Sequence, residues 1–243
     1  MSKRIRYVAE LAHVHEVSLL GTADFAFWQS RLRAEELAPV DRDGKAKVLM
    51  VAATMRYMAV RFTEVSFSVL LSGEKETSEE GGAFLVQAFN SFRPFAFVER
   101  ALFATPYQHA ECRLSVVAPI SVEIVQRGEP LFRAVMSQTT SATARPAHND
   151  DNGWEGPVFL PRNKRRAKGR MFFARVRGRG STYPFTRAGN TLFLTSGPVP
   201  KVFQLLRDSE FAPTQWIVRE MRRMVSRKPI NGPKIPRRER PQI

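Results

Sequence analysis

Glu64, Arg100, Tyr107, Gln108 and His109 are the residues of this chain whose types and spacing can do chemistry. Glu64 sits in Arg61-Phe62-Thr63-Glu64-Val65, which runs into an alternating stretch ending at Leu71. Period-two alternation puts Phe62, Glu64, Ser66, Ser68 and Leu70 on one strand face and Thr63, Val65, Phe67, Val69 and Leu71 on the other. A carboxylate so placed can act as a general acid or base, or orient a substrate. Arg100 offers a planar guanidinium that can hold a carboxylate or phosphate in a bidentate grip. Tyr107, His109, Glu111 and Arg113 alternate along one face, and a tyrosine–histidine pair can move protons near neutral pH. Gln108, Ala110, Cys112, Leu114 and Val116 form the opposite, more apolar face, and only one of the two faces can line a pocket. Each residue also has a plainer reading. Glu64 can be a solvated strand charge, Arg100 an ion-pair partner of Glu99 or Glu111, and His109 a structural histidine.

Other chemistries find no support. His13 and His15 sit at strand spacing while His109 and His148 lie far off, which matches no metal-ligand signature, so no metal is expected. The chain lacks a phosphate-cradling Gly-x-x-x-x-Gly-Lys loop, a dinucleotide glycine fingerprint and a Gly-x-Ser-x-Gly elbow, and no cofactor is expected. Cys112 reads as a small core residue. As the one cysteine it allows no internal disulfide, which suits a reducing cytoplasm.

The formal charge is +15, from 38 Lys+Arg against 23 Asp+Glu. The excess concentrates in two places. Arg162, Lys164, Arg165, Arg166, Lys168 and Arg170 form one basic run, and nine more bases lie between Arg219 and Arg240. Such runs favour an anionic partner, either nucleic acid or an anionic surface, although a solvated surface explains them as simply and no recognition motif accompanies them. Arg175-Val176-Arg177-Gly178-Arg179-Gly180 is too short for a Gly/Arg-rich binding segment. Its glycines read as a turn before Tyr183-Pro184-Phe185. No apolar run is long enough to span a membrane, and the N-terminus lacks the apolar stretch of a secretory signal.

The elements that must position these groups are mostly strands. Residues 2–20 read as a strand-like lead-in. Phe25–Leu37 follows helical spacing behind Thr22 or Asp24 as a cap. Strands are expected over 48–55, 61–71, 84–89, 114–125, 130–138, 158–161, 171–176 and 191–195, with 61–71 and 84–89 forming a long hairpin. Residues 199–208 read as a helix, and 211–227 as a strand-then-helix or a short amphipathic helix. The stretch 137–156 is a long polar loop. Many short strands with few helices imply a β-rich α+β fold built on a barrel or sandwich. One domain is expected over 1–228, followed by a basic, proline-rich tail at 229–243 that lacks the material for a core.

Three blocks in order resemble the acetoacetate decarboxylase-like superfamily. They are Arg61–Val65 with its strand, the hairpin return Gly82-Ala83-Phe84-Leu85-Val86, and the segment Phe97–Ala110 ending in Pro106-Tyr107-Gln108. They span about residues 48–117, under a third of the chain. The resemblance implies a β-barrel with flanking helices whose cone-shaped interior holds the site, and Glu64 as a carboxylate lining it. It also marks a departure. The family pattern of Gly-Arg-Glu, then Pro-Lys-Lys, keeps here its arginine (Arg100) and proline (Pro106), but Tyr107 and Gln108 stand in place of the lysines. The family reaction needs a neutral lysine amine to form an imine with the substrate ketone, and acetoacetate decarboxylase is itself the reference example of that activation. Neither Tyr107 nor Gln108 can form one. No lysine occurs between Lys75 and Lys164, and a second family carboxylate falls near Leu49. The resemblance thus implies a cytoplasmic barrel for a small, acidic molecule, able to form homo-oligomers, without imine chemistry. Two alternatives stand beside it: binding of nucleic acid or an anionic surface through the basic run and tail, and a decarboxylase or lyase with a relocated lysine such as Lys45, Lys47 or Lys201.

Overall fold

The computed structural model describes residues 9–57, 59–73, 81–137, 145–146, 154–162, 170–198 and 200–226. The chain opens with β1 (Ala9–Asp24), a long strand that turns directly into α1 (Phe25–Arg33). Asp24 caps that helix, accepting the Phe27 N–H at 2.6 Å, and Trp28 and Leu32 carry its buried face. β2 (Asp41–Arg42), β3 (Lys45–Tyr57), β4 (Val60–Leu71) and β5 (Gly82–Asn90) follow as an antiparallel meander. Residues 93–102, for which no helix was expected, form α2 (Arg93–Leu102). Pro94 at its first turn costs no hydrogen bond there, and this explains why an opening proline did not prevent the helix. Then come β6 (Tyr107–His109), β7 (Glu111–Ser115), β8 (Ile120–Gln126), β9 (Glu129–Met136), β10 (Arg145–Pro146), β11 (Trp154–Leu160), β12 (Arg170–Pro184), β13 (Asn190–Leu194), α3 (Lys201–Asp208) and β14 (Ala212–Ser226).

Three expectations are corrected. The strand expected over 114–125 is two strands, β7 and β8, folded back on each other with Ser115 opposite Ser121. Gly178 and Gly180 make no turn: β12 runs straight through them, paired with Met221 and Arg219. Nor is 211–227 a helix. It is the long strand β14, hydrogen-bonded on both edges along most of its length, and that double pairing outweighs its local helical spacing.

The pairings close on themselves. β1 pairs with β14 on one edge and β3 on the other; β3 pairs with β4, β4 with β5, β5 with β11, β11 with β12, and β12 with β14, a ring of seven strands. The link from β5 to β11 is the shortest, with Val158 and Phe159 opposite Ala83 and Phe84. The rest of that edge of β5 is taken by β6, in parallel. A second sheet, in the order β13-β9-β8-β7, lies against the ring.

Alternation gives the ring two faces of different character. On the outer face Val17, Leu19, Met50, Val65, Phe67, Phe89 and Trp216 join Ile124, Phe132 and Met136 of the second sheet, Trp28 and Leu32 of α1, and Phe203 and Leu206 of α3 in one core. Phe67 meets Phe132 and Phe203 edge-on at 5.4 and 5.6 Å, and Phe89 stacks on Phe203 at 5.7 Å. The inner face has no second layer along its length, and its residues are buried or half-buried because its walls cover one another. Its two ends are closed by apolar groups. Leu11, Val14, Met55, Phe62 and Val176 cluster at one, where Phe95 of α2 stacks on Phe62 at 5.2 Å. Val40, Leu70 and Ala83, with Leu20, Leu49 and Trp154 against them, close the other.

Candidate functional site inside the barrel

Between those ends the lumen combines a polar row on one side with an apolar wall of Leu85, Ala88, Val158, Leu160 and Ala174. Register places Arg219, Glu16, Ala53, Glu64 and Asn90 in one transverse row across β14, β1, β3, β4 and β5. Residues directly opposite in register share a face, so all five belong to the inner wall. One step along, Ser18, Val51, Ser66, Ala88 and Tyr107 form the neighbouring row. Glu16, Ser18, Glu64 and Asn90 are all buried, in a molecule whose other buried side chains are largely apolar. Such groups are tolerated only when partnered.

The partners are specific. The Tyr107 hydroxyl donates to Glu64 Oε2 at 2.8 Å. The Ser18 hydroxyl donates to Glu16 Oε1 at 2.6 Å, and Arg219 Nη1 stands 3.9 Å from the same oxygen. The lumen therefore holds two carboxylates, each with its own hydroxyl donor, on either side of the small Ala53. Gly180 lies opposite Arg219 on β12, and a Cβ there would come within 2.6 Å of Arg219 Cγ. The bare backbone leaves the arginine stem its room.

Tyr107 is held in place by the turn before it. The Pro106 carbonyl accepts the Ala88 N–H at 3.0 Å and also the Gln87 side-chain amide. Thr105 donates its backbone N–H to the Glu99 carbonyl at 3.2 Å, at the end of α2. The helix buries Ala96 and Glu99, with Arg100 on the exposed side.

Of the five residues singled out from sequence, the structure brings two together, Glu64 and Tyr107. Arg100 lies on the exposed side of α2. Gln108 is half-buried and pairs in register with Phe89, a residue of the outer core. His109 pairs in register with Asn90 and so continues the lumen row, but it is exposed, and its carbonyl accepts from the Gln126 side chain at 3.1 Å. The expected continuous alternation from Tyr107 to Arg113 breaks at Ala110, because β6 belongs to the first sheet and β7 to the second. Glu111 and Arg113 consequently form a surface network with Glu123.

In the basic run, Arg162 pairs with Glu36 at 3.0 Å and donates its backbone N–H to Glu35 Oε2 at 3.0 Å. Lys164, Arg165, Arg166 and Lys168 lie outside the described residues, as does the tail at 229–243, and of Arg170 only the backbone position at the start of β12 is described. Residues 219–226, counted from sequence among the C-terminal bases, are instead part of the barrel wall. Among the described residues no three His, Cys, Asp or Glu side chains converge as a metal site, and no helix is long and apolar enough to cross a membrane.

Glu16, Ser18, Asn90 and Arg219 were missed from sequence. Val14-x-Glu16-x-Ser18-x-Leu20 alternates against Val17 and Leu19, but a polar residue facing a lumen and one facing water give the same pattern. Arg219 was masked by the bases that follow it, and Asn90 by its place at a strand end.

No lysine among the described residues reaches this row. Lys45 and Lys201 are exposed. Lys47 shares the inner parity of β3, but it lies six residues from Ala53, or about 20 Å along the strand at 3.3–3.4 Å per residue.

No family model matches the chain, and no curated protein matches it by sequence. Solved structures do match in three dimensions. An acetoacetate decarboxylase from Legionella pneumophila aligns with a TM-score of 0.60 and 14% identity, over 93% of this chain and 90% of that one. An acetoacetate decarboxylase-like enzyme from Sphingomonas wittichii RW1 aligns with a TM-score of 0.54 and 12% identity, over 88% and 90%. A further acetoacetate decarboxylase structure aligns with a TM-score of 0.52 and 12% identity, over 91% and 88%. With its closed strand ring, flanking helices and a lumen that carries a polar row, this chain has the acetoacetate decarboxylase-like fold.

Proposed function

We propose that the barrel binds a small organic acid in its lumen and handles it by proton transfer, without the imine chemistry of a Schiff-base decarboxylase. The observation that carries this reading is the 2.8 Å bond from Tyr107 to Glu64 inside the barrel. The residue standing in the position of the first family lysine is a phenol, and it is already engaged with the lumen carboxylate. Such a pair can pass a proton to and from a bound molecule: the carboxylate takes it, while the hydroxyl donates to an oxygen that gains charge. The matched structures are named as decarboxylases or a decarboxylase-like enzyme, which favours an enzyme-like reading of this barrel. The single cysteine suits a cytoplasmic setting.

The test is incubation with acetoacetate followed by borohydride reduction and intact-mass measurement. The expected mass is unchanged. A lysine adduct at stoichiometric yield would overturn the reading in favour of a relocated lysine.

A further inference from the structure

α2 reverses the usual arrangement of a surface helix, which turns its apolar stripe to the core and its charges to water. Its one acid, Glu99, is buried and accepts the Thr105 hydroxyl at 3.4 Å, while Phe97 and Leu102 are 60% and 63% exposed. Phe97 lies four residues after Arg93 and three before Arg100, so the three side chains share one face. Pro94 and Ala101 are exposed beside them, and Phe92, at the start of the helix, adds another exposed ring.

The turn between β3 and β4 repeats this composition at the same end of the barrel. Tyr57, Ala59 and Val60 stand between Arg56 and Arg61. Both arginines are exposed, and they lie directly opposite each other in register, a pairing of like charges that is destabilising in itself. Tyr57 and Val60 pack against the cluster that contains Phe62, and Phe95 of α2 stacks on Phe62 at 5.2 Å. The turn and the helix are fixed to each other through that stack. Among the described residues, none of Arg56, Arg61, Arg93 and Arg100 has an ion-pair partner.

Three kinds of partner could cover such a surface, and its chemistry separates them. A second copy of this chain related by a two-fold axis would set arginines against arginines, and neither the exposed face of α2 nor the turn carries a carboxylate to pair with them. A nucleic acid would match the charge and could stack a base on Phe97, but Leu102, Pro94 and Val60 gain nothing from phosphates or base edges. An anionic bilayer matches both halves of the pattern. Lipid phosphates take the guanidinium groups, and the boundary between headgroups and acyl chains takes Phe97 and Leu102.

We propose that this end of the barrel docks on an anionic lipid surface, with Phe97 and Leu102 at the acyl boundary and Arg56, Arg61, Arg93 and Arg100 on the lipid phosphates. The protein then lies on the membrane without crossing it. This contact is separate from the lumen and does not depend on what the lumen binds.

The experiment mixes the full chain with vesicles of phosphatidylcholine alone, or of phosphatidylcholine and phosphatidylglycerol in equal parts, and reads binding by flotation. Wild-type protein is expected to float with the mixed vesicles only. Phe97→Ser with Leu102→Ser should weaken binding about tenfold or more. Arg93→Gln with Arg100→Gln should weaken it about fivefold per arginine. All four side chains are exposed, so both double variants should melt as wild type does. Phe97→Trp reports position: lipids brominated on the acyl chains should quench its fluorescence beyond the quenching of the wild-type tryptophans. Wild-type protein that stays behind when the mixed vesicles float overturns the proposal. So does binding that survives both double variants, which moves the contact to the basic run at 162–170 or to the tail. Two further results reject a lipid partner. One is a change of oligomeric state in the serine variant, seen by light scattering without lipid, which makes the surface a contact between copies. The other is duplex DNA that binds more tightly than the vesicles and is lost with the same variants.

Discussion

Replacing Tyr107 by Phe removes one oxygen and nothing else. The ring still fills its place among Leu85, Ala88 and Val158, so no cavity opens. What is lost is the 2.8 Å bond to Glu64 Oε2. A hydrogen bond to a charged group is worth about 1.5–3 kcal/mol, and the loss leaves a buried carboxylate short of a donor. Because Tyr107 is itself only half-buried, the lower part of that range applies, about 1.5–2 kcal/mol. For a chain of this size that is a fall of roughly 3–8 °C in Tm. Urea unfolding should show the same loss in the midpoint with an unchanged slope. Glu64→Gln completes a double-mutant cycle, in which the coupling between the positions should be about 1–2 kcal/mol. If Tyr107→Phe unfolds within about 0.5 kcal/mol of wild type and the coupling is nil, the phenol does not hold the lumen carboxylate, and the assignment of Tyr107 to the site falls.

Cys112 should be inert to thiol reagents in the native protein at pH 8 and react fully on unfolding, since burial foremost, then the charges of Glu64 and Glu111, push its thiol far above the ordinary range. The same shift fixes a sign: the unfolded thiol ionises above about pH 8.5 while the folded one stays neutral, so stability is lost at about 1.4 kcal/mol per pH unit above that point, and Cys112→Ala should remove this part of the alkaline slope. Equal slopes for the two proteins would refute the burial. Gly180→Ala sets a Cβ 2.6 Å from Arg219 Cγ and 2.9 Å from the Val218 carbonyl, and it should cost about 1–3 kcal/mol in urea unfolding. Combined with Arg219→Ala the costs should be less than additive, and strict additivity would place the arginine stem elsewhere.

Much of the fold was legible because it rests on alternation. The run Thr63-x-Val65-x-Phe67-x-Val69 announced a strand with one apolar face, and that face packs into the outer core. Glu64 was legible on the same grounds, and Tyr107 through the resemblance around Pro106. Three features were not legible. α2 carries a proline in its first turn, its large apolar residues Phe97 and Leu102 stay exposed, and one of its two buried residues is the charged Glu99, so no apolar stripe advertises it. β14 has helical spacing locally, and only its two neighbours make it a strand. The remaining site residues depend on ring closure: nothing in Glu16, Asn90 or Arg219 alone says that β1, β5 and β14 curve until those side chains share one enclosed space.

The division of labour between the two faces explains how such a lumen can persist. Placing Glu16, Glu64, Asn90 and Arg219 in the lumen adds nothing to apolar packing, and each buried unmatched donor costs about 1–3 kcal/mol. The outer face offsets this, because Phe67, Phe89, Phe132, Phe203 and Trp216 pack in a layer that shares no side chain with the lumen row. A substitution inside the ring therefore leaves the apolar contacts of the outer layer in place, even where it costs a hydrogen bond or a clash of its own. At 12–14% identity the matched structures keep the same architecture over about nine-tenths of the chain, as expected if the outer layer needs only apolar volume and the lumen is free to change its groups. Under that separation, a change of side chain at Tyr107 alters the groups of the lumen while leaving the barrel itself in place.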